Sequence, residues 1–110
     1  MNISERNVKD VSVFALSGRI DTQGSVDLDA ALQAAVAAGK HKMALDMASV
    51  AYIGSAGLRT LADILTKNRG AGGDLKLVAL NPKVSRVFRI IGFDKFFSIY
   101  DTLEAASADF

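Results

Sequence analysis

At 110 residues the chain has the length of one ordinary domain, and with half its residues apolar and 23% charged it can bury a core without metal or disulfide support. It holds no cysteine, which excludes a disulfide framework, a thiol nucleophile and a thiolate metal site. Its 13 basic and 12 acidic residues leave no concentrated basic excess for nucleic acid, no apolar stretch reaches the length of a membrane span, and the polar opening MNISERN is not a signal peptide, so a cytoplasmic protein is expected.

In chain order, residues 2–8 alternate weakly, and Lys9-Asp10 makes a hairpin turn into Val11-Ser12-Val13-Phe14-Ala15-Leu16, a buried strand by its β-branched and apolar content. From Asp21 the period changes: Leu28, Ala31, Leu32, Ala35 and Val36 recur on one helical face, and Gly39 stops the helix. Lys42-Met43-Ala44-Leu45-Asp46-Met47 is a short strand leading through Ser49-Val50-Ala51. A second helix turns Leu58, Leu61, Ala62 and Leu65 inward, carries Asp63 and Lys67 as an outer pair, and stops at Gly70, Gly72 and Gly73. Leu75-Lys76-Leu77-Val78-Ala79-Leu80 is the next strand. Asn81-Pro82 then opens a third helix, a cap followed by proline at the first position, with Val84, Val87, Phe88 and Ile91 inward and Gly92 at its end. Phe93, Phe96 and Phe97 are expected in the core, residues 96–100 as a short last strand, and Asp101 with Glu104 as a capping box for a final helix.

The order β-β-α-β-α-β-α-β-α predicts an α/β fold over one domain, residues 1–110. Strands separated by helices run parallel with right-handed crossovers, while the opening hairpin adds an antiparallel edge. The expected architecture is a small mixed β-sheet with helices mainly on one face, because so short a chain cannot cover both.

Near the midpoint stands Tyr52-Ile53-Gly54-Ser55-Ala56-Gly57-Leu58-Arg59, where an apolar run ends at a glycine and a lone serine precedes a helix. A hydrolase elbow needs glycine two residues before the serine, and Ile53 holds that place; the only histidine, His41, precedes the serine instead of following it. Gly54 and Gly57 lack the spacing and the lysine of a phosphate-binding loop. Catalysis, a nucleotide and a metal are therefore not expected. Two roles stay open for Ser55, a cap for the second helix and an exposed phosphoacceptor, and one hydroxyl near free backbone N–H groups can serve as both.

The segment Leu45-Asp46-Met47-Ala48-Ser49-Val50-Ala51-Tyr52-Ile53-Gly54-Ser55-Ala56-Gly57-Leu58 resembles the signature of STAS domains, and specifically of bacterial anti-sigma factor antagonists. Gly18-Arg19-Ile20-Asp21 resembles the family's G-x-[IL]-D loop, and Asn81-Pro82-Lys83-Val84 with Phe88-Arg89-Ile90-Ile91-Gly92-Phe93 resembles its last third. The resemblance implies a STAS-like fold and a protein that is not an enzyme and has no cofactor. It implies that Ser55 is phosphorylated by an anti-sigma factor that is itself an ATP-dependent serine kinase, and is reset by a metal-dependent phosphatase. The unmodified form would bind the anti-sigma factor and free sigma, through a surface of Asp21, Thr22, Gln23, Gly54, Ser55, Ala56, Gly57 and Arg59. Gly54 departs from the family's acidic residue, which removes an acceptor and also a charge that would repel phosphate; Ala56, where serine or threonine is common, leaves Ser55 the only hydroxyl of the loop. The alternative is a STAS accessory or scaffold subunit of another assembly, a lipid-transport complex or a sensory scaffold, with Ser55 only a helix cap.

Overall fold

Alternation along the strands sends side chains to two apolar faces, and the two faces organise the molecule. The computed structural model describes all residues, 1–110. β1 (Asn2–Val8) and β2 (Val11–Ile20) pair antiparallel around a turn in which Lys9 takes a φ of 57°. There follow α1 (Thr22–Ala37), β3 (Lys42–Ile53), α2 (Ser55–Gly70), β4 (Asp74–Val78), α3 (Pro82–Ile90), a 3-10 turn (Phe93–Lys95), β5 (Ser98–Tyr100) and α4 (Leu103–Ala108). The strands lie in the sheet in the order β1-β2-β3-β4-β5, with every pairing after the first parallel.

Crossovers of one hand between neighbouring parallel strands deliver successive helices to the same face. Leu28 and Leu32 of α1, Leu61 and Ile64 of α2, and Val84 and Phe88 of α3 share one core with Phe14, Met43, Leu45, Leu75 and Leu77 of the strands. The intervening residues Val11, Val13, Ala44 and Val78 face the other way, where Ala106 of the short α4 covers them. The mixed sheet with helices mainly on one face is as the sequence predicts. No helix is long and apolar enough to cross a membrane.

Several element limits differ from expectation. β2 runs on through Gly18-Arg19-Ile20, residues expected in a loop, because they pair with residues 50–53 of a β3 that is also longer than expected, at 12 residues. β4 stops at Val78, where Ala79 takes a φ of 60°, and the 3-10 turn delays the last strand to Ser98. Phe97 is buried and meets Phe88 edge-on at 5.7 Å, but Phe96 is 62% exposed and Ile91 44% exposed, so neither belongs to the core. Thr102, not Asp101, caps α4 by accepting from the Ala105 N–H at 3.2 Å.

Candidate functional site

The ends of β2 and β3 lie side by side, Ile20 opposite Ile53, and the Gly54 N–H donates to the Ile20 carbonyl at 2.9 Å. Each strand turns there into a helix, so the N-termini of α1 and α2 open on the same edge of the sheet. Asp21 is the N-cap of α1, its Oδ1 accepting from the Gly24 N–H at 2.8 Å, and its exposed carboxylate is followed by exposed Thr22 and Gln23. Asp21, expected on the contact surface, is thus also the cap of α1.

Ser55 is not. The N-cap of α2 is Gly54, with extended φ of −100° and no side chain to offer, and Ser55 is the first helical residue. Its side chain is exposed and its hydroxyl enters no hydrogen bond. The expectation that the serine caps its helix fails by one residue, because a capping side chain must precede the first helical residue to reach back to the N–H groups of the first turn. What remains is a free hydroxyl in the positive field of a helix N-terminus.

Gly57 corrects a second expectation. Expected on the contact surface, it is instead buried. A Cβ there would lie 2.5 Å from Ile20 Cγ2 and 3.0 Å from Ile53 Cγ1, so the glycine lets α2 pack directly on the ends of both strands. Ala56 and exposed Arg59 do face outward, lining an open groove between α1 and α2 together with Val26, Asp29, Thr60 and Asp63. Asp63 pairs with Lys67 at 3.3 Å, as their spacing predicts.

Sequence reasoning missed a second group at this edge. The Arg19 guanidinium stacks over the Tyr52 ring with Cζ 4.3 Å from the centroid, and the Tyr52 hydroxyl lies 3.0 Å from where a Cβ on Gly54 would sit. Lys83 at the start of α3 lines the same cleft. The register pairs Arg19 with Tyr52 only after two shifts between β2 and β3, so spacing alone carried no signal of it.

No histidine stands near Ser55. His41 lies at the opposite end of β3, with Nδ1 3.4 Å from Asn68 Oδ1, and no group of three or more His, Cys, Asp or Glu side chains assembles anywhere. Two ionisations are displaced, neither in the Ser55 loop. The Asp10 carboxyl is lowered, first by its hydrogen bond from Lys42, and the Tyr100 phenol is raised, first by its hydrogen bond to the Asp109 carboxylate.

Comparison with known proteins bears on the family and the fold. The STAS domain family model matches residues 2–106. BtrV of Bordetella bronchiseptica, assigned as an anti-sigma factor antagonist, is 33% identical over 110 residues, covering 100% of this chain and 95% of that one. A crystal structure of an anti-sigma factor antagonist from Mycobacterium paratuberculosis superposes with a TM-score of 0.89 at 31% identity, covering 98% of this chain and 92% of that one. A Thermotoga maritima structure assigned the same role superposes with a TM-score of 0.93 at 25% identity, over 97% and 92% of the two chains. The chain belongs to the STAS domain family.

Proposed function

We propose that this chain is an anti-sigma factor antagonist that works by switching partners in the cytoplasm, with no catalysis of its own. Unmodified, the edge formed by Asp21, Thr22, Gln23, Gly54, Ser55, Ala56 and Arg59 binds an anti-sigma factor and releases sigma. Phosphorylation of Ser55 ends that contact. The kinase is the anti-sigma factor itself, of the ATP-dependent serine kinase type, and a metal-dependent phosphatase restores the serine.

One observation carries the reading: the Ser55 hydroxyl is exposed and unbonded at the first helical position of α2, beside the capped start of α1. A phosphoacceptor needs access and freedom from internal bonds, and a phosphate placed there meets N–H groups that have no partner within the helix. The absence of a carboxylate at Gly54 spares that phosphate a repulsive neighbour. The roles assigned to the related proteins point the same way. No observation favours the accessory-subunit alternative, since its serine would be a cap and the cap position here is Gly54.

The test is to incubate the protein with ATP and each histidine-kinase-like anti-sigma protein of the same cell, then analyse the YIGSAGLR segment by mass spectrometry. Phosphate on Ser55, with a complex that forms before modification and dissolves after it, is the expected result. A complex that forms equally well with phosphorylated protein, or phosphate confined to other residues, overturns it.

A further inference from the structure

Beside the Ser55 loop lies a cleft of about 300 Å³ whose lining includes Arg19, Tyr52, Ile53, Lys83, Val84 and Val87. It contains two cations and no acid. The ion pairs of the molecule employ the N-terminal amine, Lys40, Lys42, Lys67, Arg69 and Lys76, so Arg19 and Lys83 stand without a counter-ion. An exposed arginine is by default solvated and free to move, but this one lies over the Tyr52 ring, a cation–π contact that holds it at the cleft while its side-chain N–H groups enter no hydrogen bond. The Tyr52 hydroxyl, which enters no hydrogen bond, points into the space a side chain at position 54 would fill. The remaining wall is apolar, with Ile53 and Val84 buried beneath it.

We propose that this cleft receives a carboxylate side chain of the partner protein, flanked by an apolar residue. It rests on the reading of the Ser55 edge as a protein-contact surface and adds the chemistry of what docks there. The Arg19 fork offers paired donors to the two carboxylate oxygens, Lys83 adds a second positive charge, and Tyr52 supplies a neutral donor. Val84 and Val87 accept the aliphatic stem and its apolar neighbour. A free phosphate would find the charges but waste the apolar wall.

Gly54 makes the site separable from the fold. An aspartate at 54 would set its carboxylate against the Tyr52 hydroxyl and beside Arg19, answering from within the charge that the partner is meant to supply. Aspartate is also a better N-cap than glycine, which offsets the small shift that its Cβ, 3.0 Å from the Tyr52 hydroxyl, asks of that ring, so Gly54→Asp should stay near wild-type stability while weakening binding.

Two measurements on the full chain test the proposal. In the first, ¹⁵N NMR follows the Arg19 Nε–H and Gly54 amide during titration with acetyl-Leu-Glu-Leu-amide, with its Leu-Gln-Leu counterpart and with inorganic phosphate. Saturable shifts with the glutamate peptide alone, lost in Arg19→Gln, are expected. Equal shifts with both peptides, no shifts, or saturation by phosphate only would overturn the proposal. The second measures affinity for an anti-sigma factor that binds the wild type, where Arg19→Glu, Lys83→Glu and Gly54→Asp should each lower affinity roughly tenfold or more. Retained affinity in all three sinks the cleft and leaves the antagonist role standing. If no anti-sigma factor binds the wild type while the peptide shifts persist, the antagonist role fails and the acid receptor stands.

Discussion

Asp21 holds two jobs that a single pair of substitutions can separate. Its Oδ1 caps α1 through the Gly24 N–H, and its carboxylate is exposed on the proposed contact edge. Asp21→Ala should cost about 1 kcal/mol in chemical denaturation, the usual worth of a lost cap. Asp21→Asn keeps an equally good cap, so its stability should match wild type within a few tenths of a kcal/mol. Affinity of the asparagine variant for the anti-sigma factor then reports the carboxylate alone: a loss with unchanged stability assigns the charge to the partner, and full affinity leaves Asp21 a cap only. Gly57 behaves in the opposite way, since its substitution strikes the fold. A methyl group 2.5 Å from Ile20 Cγ2 overpacks the junction of α2 with both strands, for about 1–3 kcal/mol, against which alanine's better helix propensity returns under 1 kcal/mol. Gly57→Ala should therefore unfold at lower urea, while affinity per folded molecule stays within twofold of wild type.

At the scale of elements, α4 is the short one, six residues that help to cover the second sheet face. Buried Lys76 anchors it, donating to the Ala106 carbonyl at 3.2 Å and lying 4.1 Å from the Phe110 ring centroid, while Tyr100 donates to Asp109. That last bond raises the Tyr100 pKa above its ordinary 10.0, because the proton it needs is the one that ionisation removes. The folded state then holds the proton longer than the unfolded chain, so stability declines as pH rises above 10.0. Urea midpoints across pH 9–11 should show a shallower decline in Tyr100→Phe than in wild type; parallel slopes would dismiss the Tyr100–Asp109 bond as the cause. The acid limb has the reverse sign. Asp10, lowered first by its hydrogen bond from Lys42, contributes stability present above pH 3.8 and lost as pH falls through its folded value. Asp10→Asn should flatten that limb slightly, the side chain being fully exposed.

The helices were the legible elements, because buried Leu28, Leu32, Leu61 and Leu65 repeat at helical spacing whatever the strands do. The strand ends were not. Gly18-Arg19-Ile20 becomes strand only through pairing with β3, and the N-cap of α4 moved to Thr102 because Asp101 and Thr102 are both good capping residues. Phe96 looked like core beside Phe97, yet the 3-10 turn sends the two rings to different environments, one exposed and one buried.

For the molecule as a whole the question is how one phosphate changes partners without changing the fold. Ser55 itself was legible, since a lone hydroxyl between two glycines at a strand-to-helix junction stands out in any reading of the chain. Its missing hydrogen bond and the cleft of Arg19, Tyr52 and Lys83 were not, because both depend on where β2 and β3 end relative to α2 and α3. The free hydroxyl makes Ser55→Ala close to neutral for folding, within about 0.5 kcal/mol, rather than the 1 kcal/mol a lost cap would cost. Phosphoserine or aspartate at this first helical position places negative charge at the positive end of α2, worth roughly 0.3–1 kcal/mol in favour of the fold. Within a complex the same phosphate, with a charge near −2, must shed water at the interface, at a cost of several kcal/mol unless the partner supplies cations. If the partner instead presents a carboxylate to Arg19 and Lys83, repulsion adds to that cost. The interface term exceeds the folding term, so phosphorylation should raise the urea midpoint slightly and lower affinity for the anti-sigma factor at least a hundredfold. Ser55→Asp, with half the charge, should move both quantities the same way by less, and Ser55→Ala should bind like wild type in the presence of ATP without ever releasing. Denaturation and affinity measured on the four proteins side by side decide it: a phosphorylated form that loses stability, or one that keeps its affinity, would mean that Ser55 is not the switch.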